Sequence, residues 1–362
     1  MSHFFPAEHP SLEAKLEAHF ARARNGAESK LGKSATALIL GGGYGRGEGG
    51  VVTNRNDGTE SLFNDLDYFL FTESPDTPSV ESWRTIFEKE ESKALGIDVE
   101  VKALPAKDAH SSINSMMFTD LIHGHYSVWG DPSFLLKLKP NCNPNNLPLI
   151  EATRLLWNRG TGLYFARCEL ERNGEANFIE RNLNKLKLAL GDAWLILNGK
   201  YAPHVRTRAE LLDQTNIDSD FEVLKEWHRK GVIFKFQPEV QTRSKEERYA
   251  DINKLSTVWL KLFLQIETKR LSTQFTVADQ YATYSKQLFP GSGIMRNCAL
   301  AIRDELKRGS HLRPFTDYPR GALMRALVLL LSERQDSNPE KYFSKINGTL
   351  ETDYLRWWAH YS

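Results

Sequence analysis

The chain has 362 residues, enough for two domains with a core each, and its 47 basic and 46 acidic residues leave a formal charge of +1. A charge so close to zero supplies no global field to draw the chain onto nucleic acid or an anionic membrane. Cys142, Cys168 and Cys298 lie far apart and form no C-x-x-C pair, which speaks against a zinc ribbon and fits a reducing compartment.

Met1 to Pro6 has no basic region followed by an apolar stretch, so the expectation is a cytoplasmic protein without a secretory leader. Residues 11–24 carry strong helix formers with apolar residues at helical spacing and predict an amphipathic helix. Short apolar runs predict strands at 36–40, 66–72 and 97–103, with a helix over 79–94. That order predicts a small α/β domain. Residues 141–148 contain two prolines and four asparagines, which favour turns, so the boundary is expected there: an α/β domain over 1–140 and an all-helical one over 141–362. In the second part, residues 182–198 set Leu183, Leu186, Leu190, Trp194 and Leu197 on one helical stripe. Residues 244–272, 294–308, 320–333 and 350–360 also read as helices. The most apolar window, Ala322 to Leu331, is ten residues long with Arg325 inside it. It is too short to span a bilayer and predicts a buried helix, with no membrane partner. Trp157, Tyr354, Trp357 and Trp358 are expected in the core.

The run Gly41-Gly42-Gly43-Tyr44-Gly45-Arg46-Gly47-Glu48-Gly49-Gly50 follows the apolar segment Ala37 to Leu40. Glycines let backbone approach phosphate oxygens closely. The alternative is a flexible surface turn. A P-loop does not fit, because Gly32-Lys33-Ser34 precedes the strand and its upstream glycine, Gly26, is one residue too distant. Gly45, Gly47 and Gly50 satisfy G-x-G-x-x-G, but a dinucleotide site needs an acidic residue at the end of the next strand, and Asp65 and Asp67 stand at its beginning.

Two aspartates two apart on a strand project to one face and repel unless a cation lies between them. Mg²⁺ or Mn²⁺ would suit such oxygen donors and also bind substrate phosphates. Solvated turn residues are the alternative. A third carboxylate from a neighbouring strand would complete a two-metal clamp. Asp98 and Glu100 both lie on the next strand signal, and the residue pattern leaves the choice between them open. Arg46, inside the glycine run, would either contact phosphate or pair with Glu48. Residues 180–210 are locally basic, with Arg181, Lys185, Lys187, Lys200, Arg206 and Arg208. His123-Gly124-His125 lacks the spacing of a helical metal pair.

Gly42-Gly43-Tyr44-Gly45-Arg46-Gly47-Glu48 followed by Asn64-Asp65-Leu66-Asp67 resembles the DNA polymerase β-type nucleotidyltransferase superfamily. Its pattern is an apolar strand, Gly-Ser, a variable turn, Asp-x-Asp and a later acidic residue between apolar ones. The likeness spans about residues 36–102. Its extension to His123-Gly124, after Val99-Glu100-Val101, is similar to the kanamycin nucleotidyltransferase branch and makes Glu100 the third carboxylate, with Asp98 second. The resemblance implies a mixed-sheet catalytic domain followed by a helical bundle that closes over the substrate. It implies that Gly42 and Gly43 hold the β- and γ-phosphates, that Asp65 and Asp67 bind two Mg²⁺ or Mn²⁺ ions, and that Glu100 binds one and helps deprotonate the acceptor hydroxyl. It further implies that Lys187 or Lys185 meets the triphosphate. One departure stands out: Gly43 occupies the position where the family usually has serine. The expected activity is transfer of a nucleoside monophosphate from a nucleoside triphosphate to a hydroxyl on a small molecule, a protein or RNA. The near-neutral charge disfavours long nucleic acid. The alternatives are a non-catalytic module of the same fold and a nucleotide-sugar glycosyltransferase. In the latter an apolar strand leads into Asp-x-Asp, whereas here the apolar run follows it.

Overall fold

A computed structural model of the chain describes residues 3–109, 114–239, 242–332, 341–345 and 348–361. The chain opens with helix α1 (Pro10–Lys30), strand β1 (Ala35–Leu40) and a single helical turn, α2 (Gly42–Gly45). Strands β2 (Gly50–Thr53) and β3 (Glu60–Phe63) pair as an antiparallel hairpin. Then come β4 (Leu66–Thr72), α3 (Pro78–Leu95), β5 (Val99–Pro105), α4 (Met116–His123) and β6 (Tyr126–Gly130). The main sheet runs in the order β5-β4-β1-β6. β4 and β5 are parallel because α3 carries the chain back between them, while β1 is antiparallel to both β4 and β6.

Alternation along these strands builds two cores, one on each face of the sheet. Leu38, Leu40, Leu66, Tyr68, Leu70, Val99 and Val101 pack with Leu16 and Phe20 of α1 and Phe87 of α3. Ala37, Ile39, Phe69 and Phe71 pack with Phe118, Leu121 and Ile122 of α4. Burial on both faces explains why β1 and β4 read as continuous apolar runs. Polar contacts also tie α1 to α3 and the sheet: buried His19 bonds Glu91 and the Tyr68 hydroxyl, each at 2.7 Å, and Arg22 binds Glu91 with two nitrogens.

Helices dominate the rest of the chain: α5 (Leu149–Glu171), α6 (Ala176–Leu197), α7 (Val205–Gln214), α8 (Val223–Phe236), α9 (Lys245–Leu271), α10 (Ala278–Ala282), α11 (Ile294–Arg308), α12 (Pro319–Leu331) and α13 (Leu350–Tyr361). The protein is therefore mixed α/β, with a small mixed sheet and many helices. Residue 333, the expected end of the helix begun at 320, lies outside the described residues.

The chain divides into two compact units. The first comprises Met1–Glu151, Trp194–Asp218 and Glu222–Gln241, and so contains α7 and α8 as well as the sheet. The second comprises Ala152–Ala193, Ser219–Phe221 and Thr242–Ser362. In the second unit, Ser244 starts α9 with a capping box closed by Glu247, which satisfies backbone donors that the helix itself leaves over. Trp157 meets Trp358 edge-on at 4.7 Å, and Arg325, in the middle of buried α12, is neutralised by Asp317 at 2.8 Å. No described helix is long and apolar enough to cross a membrane.

Leu70 is fully buried in the centre of β4, whereas Ile86 on α3 is mostly exposed. Replacing Leu70 by Ala should cost roughly 2–5 kcal/mol of unfolding free energy. Ile86→Ala should change it by no more than about 0.5 kcal/mol. Urea denaturation of the two variants checks this ordering.

Candidate functional site

β1, an interior strand, ends at Leu40, and the glycine run begins where the chain must turn at the end of the sheet. The Gly41 amide donates to the Asp67 carbonyl at 2.8 Å, which locks the start of the turn to the start of β4. Gly42 has φ +59°, a left-handed conformation, and any Cβ there would strike the Asp67 carboxylate. Only glycine satisfies both demands without strain. The turn is held from behind by buried Tyr44, whose hydroxyl donates to the Phe63 carbonyl at 2.9 Å and accepts from the Phe63 amide at 3.0 Å. Burial pushes the Tyr44 phenol well above its usual range, so it stays neutral.

β4 begins at Leu66, so Asp67 lies within the strand and Asp65 one residue before it, where both had been expected on the strand. Likewise Asp98 precedes β5, and Glu100 lies within it. Parallel pairing sets Asp67 opposite Glu100, on the face away from Leu66, Tyr68, Val99 and Val101. The Leu66 amide donates to the Asp98 carbonyl at 2.9 Å, fixing that register at its first residue. Burial, then the charges of Asp65, Asp98 and Glu88, push the Glu100 carboxyl above its ordinary value. The fold thus gathers Asp65, Asp67, Asp98 and Glu100 at the ends of two adjacent strands, beside Gly42. Among the described residues, no three His, Cys, Asp or Glu side chains converge closely enough to enclose a metal ion.

Arg46 takes the second of its two expected roles. Its guanidinium pairs with Glu48 at 3.2 Å and with Asp120 at 3.4 Å, and it is largely buried. A Cβ at Gly124 would run into the aliphatic stem of Arg46, which gives the His123-Gly124 pair a packing reason. His123 and His125 each bond a carbonyl in α4, of Thr119 and Leu121.

Glu48 is the hub of this region. One carboxylate oxygen accepts the Val205 amide at 2.7 Å, at the start of α7, and the other accepts Lys235 from the end of α8. Burial alone would raise the Glu48 carboxyl. Nearby His204 and the cations Lys235, Arg46 and Arg208 outweigh it and hold the group well below the usual carboxylate range. Asp120 accepts the Tyr201 hydroxyl at 2.9 Å, and Arg208 donates to that hydroxyl at 3.1 Å. Burial dominates at Asp120 and raises its carboxyl despite these cations. Tyr201 also walls a cavity of about 480 Å³ with Pro144, Lys200, Pro203, Leu211 and Gln214, within the size range of small-ligand sites.

Lys187 and Lys185, the lysines expected to meet the triphosphate, belong to the second unit. Lys187 is largely buried in the second unit and paired to Asp251 at 2.7 Å; Lys185 is half-buried on the same helix, α6. In the first unit Lys235 reaches the glycine turn instead: its Cε is 3.8 Å from where a Cβ on Gly43 would sit. Nothing in Gly231-Val232-Ile233-Phe234-Lys235 marks this residue, because its neighbourhood is created by tertiary packing. Glu48 was visible only as a partner for Arg46.

No protein-family model matches the chain, and no curated protein matches it.

Burial lowers the Lys235 ammonium to about 8 even with Glu48 raising it. The ammonium should therefore titrate near pH 8. Between that pH and the ordinary lysine value the unfolded chain binds the proton that the folded chain has released, so this group's contribution to stability grows with pH across that window. In Glu48→Gln the titration should move lower still, because the largest raising influence is gone. Mass-spectrometric measurement of Lys235 acetylation rate against pH reads both midpoints.

Proposed function

We propose that the chain is a metal-dependent nucleotidyltransferase, moving a nucleoside monophosphate from a nucleoside triphosphate to an acceptor hydroxyl and releasing pyrophosphate. The observation that carries this reading is the in-register pairing of Asp67 with Glu100 beside Gly42, a glycine that faces the Asp67 carboxylate. Four carboxyl groups at two strand ends, with Glu100 raised by partial burial and then by its acidic neighbours, make a donor set whose repulsion a hard cation relieves. Asp65, Asp67 and Glu100 are the residues that would hold Mg²⁺ or Mn²⁺, in two ions. No three such side chains converge on one point among the described residues, so binding would have to draw them together. Bound there, the ions would neutralise the triphosphate and align it for in-line displacement.

The chain's own residues supply the rest. Gly42 and Gly43 present backbone without side chains, so phosphate oxygens can come close. Tyr44 and Glu48 keep that backbone rigid, so little ordering remains to be done when substrate binds. Lys235, beside Gly43 and paired to Glu48, adds positive charge near the β- and γ-phosphates. The acceptor oxygen forms a bond to the α-phosphorus as the bond to the β-phosphate bridging oxygen breaks. Glu100 is exposed beside the proposed ion site and would take the hydroxyl proton. The near-neutral net charge favours a small-molecule or protein acceptor over long nucleic acid. A cytoplasmic setting is part of the proposal.

The test is to incubate the protein with each α-labelled nucleoside triphosphate, Mg²⁺ or Mn²⁺, and cell extract. Wild type should label an acceptor. Asp65→Ala and Asp67→Ala should each lower the rate by at least about 100-fold, the loss usual for a group that stabilises transition-state charge. Glu100→Gln should do the same, and Asp98→Asn should cost little. No labelled product together with metal-independent nucleotide binding would sink the enzyme reading in favour of a binding module.

A further inference from the structure

Helix α11 is inside out. Its buried residues are polar: Asn297 donates to Ser292 Oγ at 2.8 Å and the Thr316 carbonyl at 3.0 Å, and Asp304 accepts from the Tyr361 hydroxyl. Apolar residues are turned to solvent, with Met295 88% exposed, Ile302 61% and Leu306 82%. Ala299 is exposed between them. At about 3.6 residues per turn, Met295, Ala299, Ile302 and Leu306 form one stripe on the side opposite Asn297 and Asp304. Their steps of four, three and four residues are the a/d spacing by which one helix receives another. A soluble helix normally shows the reverse pattern, so the stripe needs a cover.

The charges beside the stripe indicate what covers it. Along one edge stand exposed Arg296 and Lys307, with Arg303 between them paired to Asp304 at 3.1 Å. The other edge carries Cys298 and Glu305, and Glu305 is already held by His311 at 2.9 Å and by Lys345 at 3.4 Å. The two acidic residues of α11 are thus engaged within the fold, and the edge charge offered outward is cationic. In an antiparallel self-pair, the cationic edges of both copies would meet and repel. In a parallel self-pair, each cationic edge would meet an edge whose acidic group is spoken for. A lipid surface is a poor match as well, because the stripe has no aromatic side chain to anchor it.

We infer that the exposed face of α11 is a docking surface for a partner protein's amphipathic helix, with apolar residues at a/d spacing and carboxylates along one edge. Met295, Ile302 and Leu306 supply the apolar contact, and Ala299 lets the incoming backbone approach. Arg296 and Lys307 set the partner's orientation through charge.

The experiment uses the full chain and a fluorescein-labelled synthetic helix of about three heptads, with Leu at a and d and Glu along one edge. Fluorescence anisotropy should show binding that weakens at least about ten-fold in Ile302→Ser/Leu306→Ser. Arg296→Glu/Lys307→Glu should weaken it similarly, and a peptide with Lys in place of Glu should recover binding to that charge-reversed variant alone. All four substituted side chains are exposed, so thermal melts should match wild type, separating lost docking from lost folding. Absence of binding, or binding indifferent to both variants, overturns the inference. So does a dimer in sedimentation equilibrium that Ile302→Ser/Leu306→Ser abolishes, which would make the occupant a second copy. Flotation with anionic phospholipid vesicles, lost in the same variant, would make it a membrane and overturn it equally.

Discussion

Glu48 is a buried carboxylate that three separate segments need at once. It accepts the first amide of α7, the Lys235 ammonium from α8 and the Arg46 guanidinium from its own loop. A carboxylate removed from water is costly unless its oxygens are filled, and here they are filled by cations and an amide. Removing it would leave Arg46 and Lys235 as buried charges with their main partner gone, and α7 with an unsatisfied first turn. The glycine turn between β1 and β2 therefore owes its shape to a residue at its far end. Rigid backbone at Gly42 and Gly43, and a lysine beside them, follow from that one group.

The sheet supplies the other half of the arrangement. β4 is fixed twice, antiparallel to β1 and parallel to β5. The first pairing brings Gly41 onto Asp67; the second brings Glu100 opposite Asp67. Residues from three stretches of sequence thus meet at one end of the sheet because of strand direction and register, and a one-residue slip of β5 would turn Glu100 into the core. The proposed chemistry rests on this convergence.

The sequence made the locally coded features legible. The expected strand at 66–72 coincides with β4, that at 36–40 falls within β1, and the helix expected at 294–308 coincides with α11. Leu183, Leu186, Leu190, Trp194 and Leu197 are all buried, as their stripe required. Features coded by distant partners were not legible. β6 is short and gains its identity from pairing with β1, and the β2–β3 hairpin is pinned by Tyr44 from outside its own sequence. The pairing of Lys187 with Asp251, 64 residues away, was not legible, nor was Lys235, in an unremarkable apolar segment, beside the glycine turn. The sequence read 294–308 as a helix but did not show which side of it faces out. That depends on Ser292, Thr316 and Tyr361 finding its polar residues.

The account stands on the claim that the Asp65–Asp67–Glu100 face and the glycine turn hold one metal–nucleotide complex. Isothermal titration with α,β-methylene analogues of the four nucleoside triphosphates, with Mg²⁺ and then with EDTA, tests it most directly. The account predicts tight binding of at least one analogue that requires Mg²⁺ and is lost in Asp67→Asn. Binding of equal strength in EDTA, or undiminished in Asp67→Asn, would contradict it.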